Sequence, residues 1–306
     1  HREGRRREGW QSTFRRVHPA WAHHAPARGA LAAAGAGSPA AAVPSHPRPD
    51  ASRSTGATIP ADAAAESFEC ALAVAEQVIV STVTDGAQLT LVDGRHVRLA
   101  AVLTPMRSFG RSNVEDQPLA EEARARLSAL VLNRKVGLAF DERGTDRHGD
   151  VLAYVRLDDR QAWLQALLVS DGFARVHAPA DSRKCASALL ALEDRARQAK
   201  RGLWARPFYR VRRPGDLDGD IGTFQIVEGT IVDVVERRDR IYLNFGTDYR
   251  TDFTVTIAPR IAKRLRKDGV DPLTWKARTV RVRGWISLLN GPEIELAHRE
   301  QVEFLK

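Results

Sequence analysis

The stretch "QVIVSTVTDGAQLTLVDGRHVRLAAVL", residues 77–103, carries the fold. Its apolar residues alternate over 77–83, 88–92 and 95–103, and Asp85-Gly86 and Asp93-Gly94 stand between the runs as turn dipeptides, so the pattern predicts three antiparallel strands joined by two tight hairpins. In the third strand Val97, Leu99, Ala101 and Leu103 occupy one alternating set, Arg98 interrupts the apolar character, and Thr104-Pro105 ends the run. An arginine fixed in a strand ahead of a Thr-Pro turn is a place where a phosphate can be held. Whether a phosphodiester could also be cut there depends on the acids and bases around it.

Working outward, "PLAEEARARLSALVLN" (118–133) reads as an amphipathic helix, with Pro118 at its start and Leu119, Ala123, Leu127, Leu130 and Val131 on one face. Strands follow at 135–142 and 150–158, then helices at 162–172 and 185–202, stopped at Gly172 and Gly202. A Pro-, Gly- and charge-rich stretch at 206–222 reads as a linker. Beyond it the pattern predicts strands at 223–236, 240–246 and 251–258, a basic helix at 259–269, and strands at 279–288 and 293–297, which is the element order of an OB barrel. The expected architecture is mainly β with α: two tandem five-stranded OB-type barrels over 74–205 and 223–306, the first with three appended helices. Residues 1–70, rich in Ala, Arg and Pro, read as a disordered tail.

The 306-residue chain has a net charge of +9, a balance that raises nucleic acid or an acidic surface as partners. The charge is uneven: residues 66–200 hold 18 basic against 19 acidic residues, and the excess lies on either side. No run of strongly apolar residues is long enough to span a membrane.

In its order of pieces the first module resembles the thermonuclease, or staphylococcal-nuclease-like, domain family. The resemblance rests on "TDGAQLTLVDGRHVRLAAVLTP", "DRHGDVLAYV", "WLQALLVSDGFARV" and the closing "GLW", and covers about residues 74–205. Members carry an Asp-Gly-Asp turn, an arginine strand ending in Asp-Thr-Pro-Glu or Asp-Ala-Pro-Glu, and an Asp-x-Tyr-Gly-Arg loop. The resemblance implies a calcium ion held by two carboxylates, a glutamate as general base for water, and two arginines on the phosphate. Such a set makes chemical sense, because attack on an anionic diester needs positive charge at its oxygens and a base for the proton.

Position by position, this chain departs from that pattern. Ala87 stands for the second acid of the turn, Leu103 for the acid ending the strand, Met106 for the general base and Asp150 for the second arginine, while Arg98 and Thr104 match. A missing base costs ~10²–10⁴ in rate and a missing electrostatic stabiliser ~10²–10³. The resemblance therefore implies a degenerate nuclease with no cofactor, and calcium only if residual activity survives. Glu115, Asp116, Glu121 and Glu122 are candidates to rebuild a metal site, although the two glutamates also suit the first turn of a helix. Arg147 and His148 are candidates to touch a phosphate. Nine His and two Cys show no metal-ligand spacing, so no metal site is expected.

In the second module, Ile241, Leu243 and Phe245 are expected to face in and Tyr242 and Asn244 out; Val280 and Val282 in, and Arg281, Arg283 and Trp285 out. With Lys263, Arg264 and Lys267 of the basic helix, these are the nucleic-acid-binding candidates, since OB surfaces use arginines and aromatics on phosphates and bases. Cys70 and Cys185 are a candidate disulfide pair, because family members pack the last helix of the module against the barrel near its first strand. Such a bond persists in an oxidising compartment and joins the export-like stretch at 27–45 in favouring an exported or periplasmic protein; two buried thiols in a cytoplasmic one is the alternative. The leading functional reading is an inactive thermonuclease-like module that binds nucleic acid or a protein partner. A weak calcium-dependent nuclease and a structural scaffold are the alternatives.

Overall fold

The computed structural model describes residues 65, 68, 70–112, 114–141, 144–145, 149–159, 162–180 and 183–306. Nearly all of the expected N-terminal tail, together with Arg147 and His148, lies outside them.

Strand β1 (Val74–Val83) is long enough to serve two neighbours. It pairs antiparallel with β2 (Gln88–Leu91) and, toward its start, with β5 (Lys135–Ala139). Its register shifts between Val80 and Thr82, a bulge of the kind that bends a strand around a small barrel. β2 pairs with β3 (His96–Leu99), and β3 runs parallel to β6 (Val151–Leu157), which pairs back to β5. The ring closes in the order β1-β2-β3-β6-β5. Inside it sit Val80, Leu89, Leu91, Val97, Leu99, Val136, Leu138 and Val155, the inward half of each alternation.

The third expected strand does not run straight to residue 103. Ala101 lies at φ 61°, in the left-handed region, and the chain leaves the barrel there. Val102–Leu103 forms a separate short strand, β4, paired with β7 (Arg175–Val176). Helix α1 (Ala120–Val131) buries Ala120, Ala123, Leu127, Leu130 and Val131, spaced at three and four residues. Leu119, expected on that face, instead precedes the helix with φ 68°. Helices α2 (Leu164–Ser170) and α3 (Ala186–Gln198) complete the module, α2 buried along its whole length and α3 along one stripe. Cys70 and Cys185, with Cα atoms 5.4 Å apart, are joined as a disulfide that ties the chain ahead of β1 to the start of α3.

Residues 206–222 are packed against the modules they join. Tyr209 is buried and donates its hydroxyl to the Pro118 carbonyl (2.7 Å), and Arg212 pairs with Asp220 (2.6 Å). The second module departs from the expected barrel. The single strand expected over 223–236 divides into β8 (Phe224–Thr230) and β9 (Asp233–Arg237), which enter different sheets. β9 joins β10 (Arg240–Asn244), β11 (Thr254–Ile257), β13 (Ser287–Leu288) and β14 (Pro292–Leu296) in a five-stranded sheet of order β13-β14-β11-β10-β9. β8 joins β12 (Thr279–Trp285) and β15 (Val302–Phe304) in a three-stranded one. The two sheets share a core of Val227, Leu243, Val255, Val280, Val282 and Ile294 but do not close into one barrel. Helix α4 (Pro259–Lys267) lies between β11 and β12 in the chain, where the sequence predicts it.

Both modules belong to one compact unit. Polar contacts cross between them: Arg175 Nη1 donates to the Phe224 carbonyl (3.0 Å), Arg283 Nη1 to Val176 (3.1 Å), and His298 Nε2 to Ala178 (2.7 Å).

Candidate functional site

The β1–β2 turn, the end of the arginine strand and the first turns of α1 meet at one end of the barrel. Asp85 Oδ1 accepts from the Ala87 N–H (2.8 Å), closing the turn on itself as a side-chain mimic of a backbone turn. Gly86 presses against Thr104: a Cβ at Gly86 would lie 2.9 Å from Thr104 Cβ and Oγ1 and 3.0 Å from Ala123 Cβ. Only a residue without a side chain lets this turn, the buried Thr104 and α1 approach so closely. Burial pushes the Asp85 carboxyl above its ordinary range, outweighing the Ala87 hydrogen bond and the nearby Arg98 and Arg107.

Arg98, on β3, lies across from Gln88 and beside Leu152 in the barrel wall. Its Nη2 pairs with Asp150 Oδ2 at 3.3 Å, and Gln88 Nε2 donates to the same oxygen at 3.2 Å. Asp150 thus sets a negative charge against Arg98. Leu103 sits in β4 opposite Arg175, and the exposed Met106 exchanges backbone hydrogen bonds with Gln117: its N–H donates to Gln117 Oε1 (3.0 Å) and its carbonyl accepts the Gln117 N–H (2.9 Å). Neither side chain offers a carboxylate to water.

Pattern reading missed Arg107. It stands in an irregular loop with no periodicity, and only the folding of residues 104–119 brings it to the turn, where Nη1 donates to the Thr84 carbonyl (3.0 Å) and Nη2 lies 3.6 Å from Glu121. Two of the four acids considered for a rebuilt metal site are engaged locally. Glu121 pairs with Arg124 (2.5 Å), and Asp116 accepts from the Ser108 N–H (2.6 Å).

Calcium takes six to eight oxygen ligands, several of them carboxylates. The turn supplies Asp85, engaged with the Ala87 N–H, and Asp150 is paired with Arg98. Among the described residues there is no group of three His, Cys, Asp or Glu placed to hold a metal ion. The donor set does not fit calcium.

The second-module candidates divide. Arg281 and Arg283, expected on an open face, are covered. Arg283 is 3% exposed and lies 2.7 Å from Glu193 of α3, while also pairing with Glu303; Arg281 pairs with Glu228 (2.8 Å) and approaches Glu303 (3.6 Å) and Asp194 (3.8 Å). Alternation placed them correctly opposite Val280 and Val282, but the first module covers that side. Asn244, expected outside, is buried and accepts from Thr254 Oγ1 (3.4 Å); Tyr242 is half-buried. Trp285 is exposed at its edge beside Phe224 and His177. Lys263, Arg264 and Lys267 are exposed on α4. No helix of the described residues is long and apolar enough to cross a membrane.

A closed five-stranded barrel with a parallel β3–β6 pair and helices packed around it is the OB-type architecture with appended helices. Residues 96–206 match the family model described as Staphylococcal nuclease homologue. The first module is therefore a staphylococcal-nuclease-like domain; the match runs from the start of β3, includes Arg98, Thr104 and Asp150, and ends where the second module's approach begins. The comparison with curated proteins finds no match.

Proposed function

We propose that this thermonuclease-like domain is catalytically silent and that the protein acts by binding nucleic acid or a protein partner instead of cleaving a phosphodiester. The observation that carries the reading is the Arg98–Asp150 pair. A phosphate entering that site meets an arginine already bridged to a carboxylate and, one residue type at a time, Ala87, Leu103 and Met106 where oxygen ligands and a base are required. Removing those charges is compatible with folding, since apolar groups at a barrel end demand no compensating ion. The alternative, a weak calcium-dependent nuclease, draws on the presence of Asp85, Arg98 and Thr104 around one turn.

The two readings separate in a cleavage assay on single-stranded DNA and RNA with calcium. The binding reading expects no cleavage above background. Calcium-stimulated cleavage that follows the protein through purification and disappears in Arg98→Ala would establish the nuclease instead.

A further inference from the structure

Helix α4 contains no acidic residue, and its exposed cations are unevenly compensated. Arg266 pairs with Glu236 (2.8 Å) and lies 3.5 Å from Asp271, and Arg264 Nη2 donates to the Ala297 carbonyl (3.0 Å). Arg260, Lys263 and Lys267 have no carboxylate partner among the described residues, although elsewhere in the module Lys276 and Arg281 each have one. A cation at the C-terminal end of a helix, such as Lys267, is favoured by the dipole. Arg260 occupies the first turn, where the dipole disfavours a positive charge and where no acid offsets it. Its charge is therefore open to a ligand of opposite sign.

Beside this row lies a groove of about 380 Å³ between α4 and β14, lined by Arg260, Arg264, Glu295 and Ala297 over Ile261 and Leu296, with Ala180 of the first module also on its wall. Its acidic member, Glu295, lies 3.8 Å from Arg240. Arg260, Lys263, Arg264 and Lys267 fall at spacings of three and four, hence on one face. They extend over about 10 Å of helix axis, enough to face about three phosphates at the ~3.4 Å axial spacing of a stacked strand. Ile261, Ala262 and Leu265 bury the helix flat against the sheet, so it does not project as a reader of a duplex groove would.

We propose that the exposed face of α4, together with the groove beside Arg260 and Arg264, binds the sugar–phosphate backbone of single-stranded nucleic acid through Arg260, Lys263, Arg264 and Lys267. The inference rests on the binding reading above for the class of ligand and replaces the surface expected around Arg281 and Arg283 as its location. Contacts are to phosphate, so binding is tolerant of sequence.

The test is fluorescence anisotropy of the full chain with labelled oligo(dT) and oligo(U), in EDTA so that cleavage plays no part. With three to four phosphate contacts at a slope of ~0.7 each, affinity is expected to fall roughly 20–50-fold between about 50 and 200 mM salt. The triple variant Arg260→Ala/Lys263→Ala/Lys267→Ala should weaken binding at low salt and flatten the slope by about 2, with an unchanged urea midpoint. The control Lys135→Ala/Arg195→Ala/Lys200→Ala removes equal charge from exposed sites on the barrel module and should bind as the parent does. No binding, binding indifferent to salt, equal loss in both triple variants, or tighter binding to anionic phospholipid vesicles than to either oligonucleotide overturns the proposal. Cleavage in the separate calcium assay would remove the silent-domain reading while leaving this binding result standing.

Discussion

Replacing Arg283 by Met tests what holds the two modules together. The guanidinium is 3% exposed, and its Nη2 lies 2.7 Å from Glu193, whose side chain is fully buried and also accepts the Val176 N–H (2.7 Å). Its Nη1 donates to the Val176 carbonyl, and Glu303 completes the cluster. Met fills much of the volume and supplies no charge, so the substitution leaves the Glu193 carboxylate in the interface without this cation. Breaking one side of a buried pair costs about 3–5 kcal/mol when the remaining charge is left alone; Arg197, 3.6 Å from Glu193, stays as a more distant partner and places the expected loss at the lower end of that range. For a unit of this size the full range corresponds to a fall of roughly 6–20 °C in Tm at about 2–4 °C per kcal/mol. Urea titration followed by tryptophan fluorescence, with calorimetry alongside, reads the effect. The second variant, Glu193→Gln/Arg283→Met, keeps an acceptor for the Val176 N–H and removes a buried charge that has lost its nearer cation, so it should recover at least about 1 kcal/mol of the loss. An Arg283→Met variant within about 1 kcal/mol of the parent, or a double variant no more stable than the single one, would refute the reasoning.

The disulfide closes a span of 115 residues, for which the chain-entropy model gives about 4–5 kcal/mol of stabilisation; Cys70→Ala/Cys185→Ala should lower the urea midpoint accordingly, and equal midpoints with and without reductant would show that the bond does not constrain the chain. Burial pushes the His177 imidazole down to about 4, with His298, Arg175 and Arg283 adding to the effect. A histidine depressed in the folded state contributes stability present above its ordinary value near 6.5 and lost as pH falls through about 4, up to about 3 kcal/mol in this window. His177→Gln should therefore flatten the stability profile between those limits, and a profile parallel to the parent's would contradict the assignment.

The sequence alone determined the β-hairpin run and the helix stripes, and it spells out the residues of the turn. Those features are local: Asp-Gly dipeptides select turns, period-two alternation puts Val97 and Leu99 inside and Arg98 outside, and a missing carboxylate at Ala87 is legible as a letter. Tertiary structure decided what each outward face meets. Alternation assigns Arg281 and Arg283 to the side away from the second core, but it cannot tell water from a neighbouring module. The buried Glu193 of α3, 90 residues earlier in the chain than Arg283, turned an expected binding surface into an interior salt bridge. The left-handed Ala101 likewise carries Leu103 out of the barrel strand to pair with Arg175, and a loop without periodicity delivers Arg107 to the turn. Closure of a barrel depends on the register between strands distant in sequence, which is why two similar strand orders gave one closed barrel and one pair of sheets.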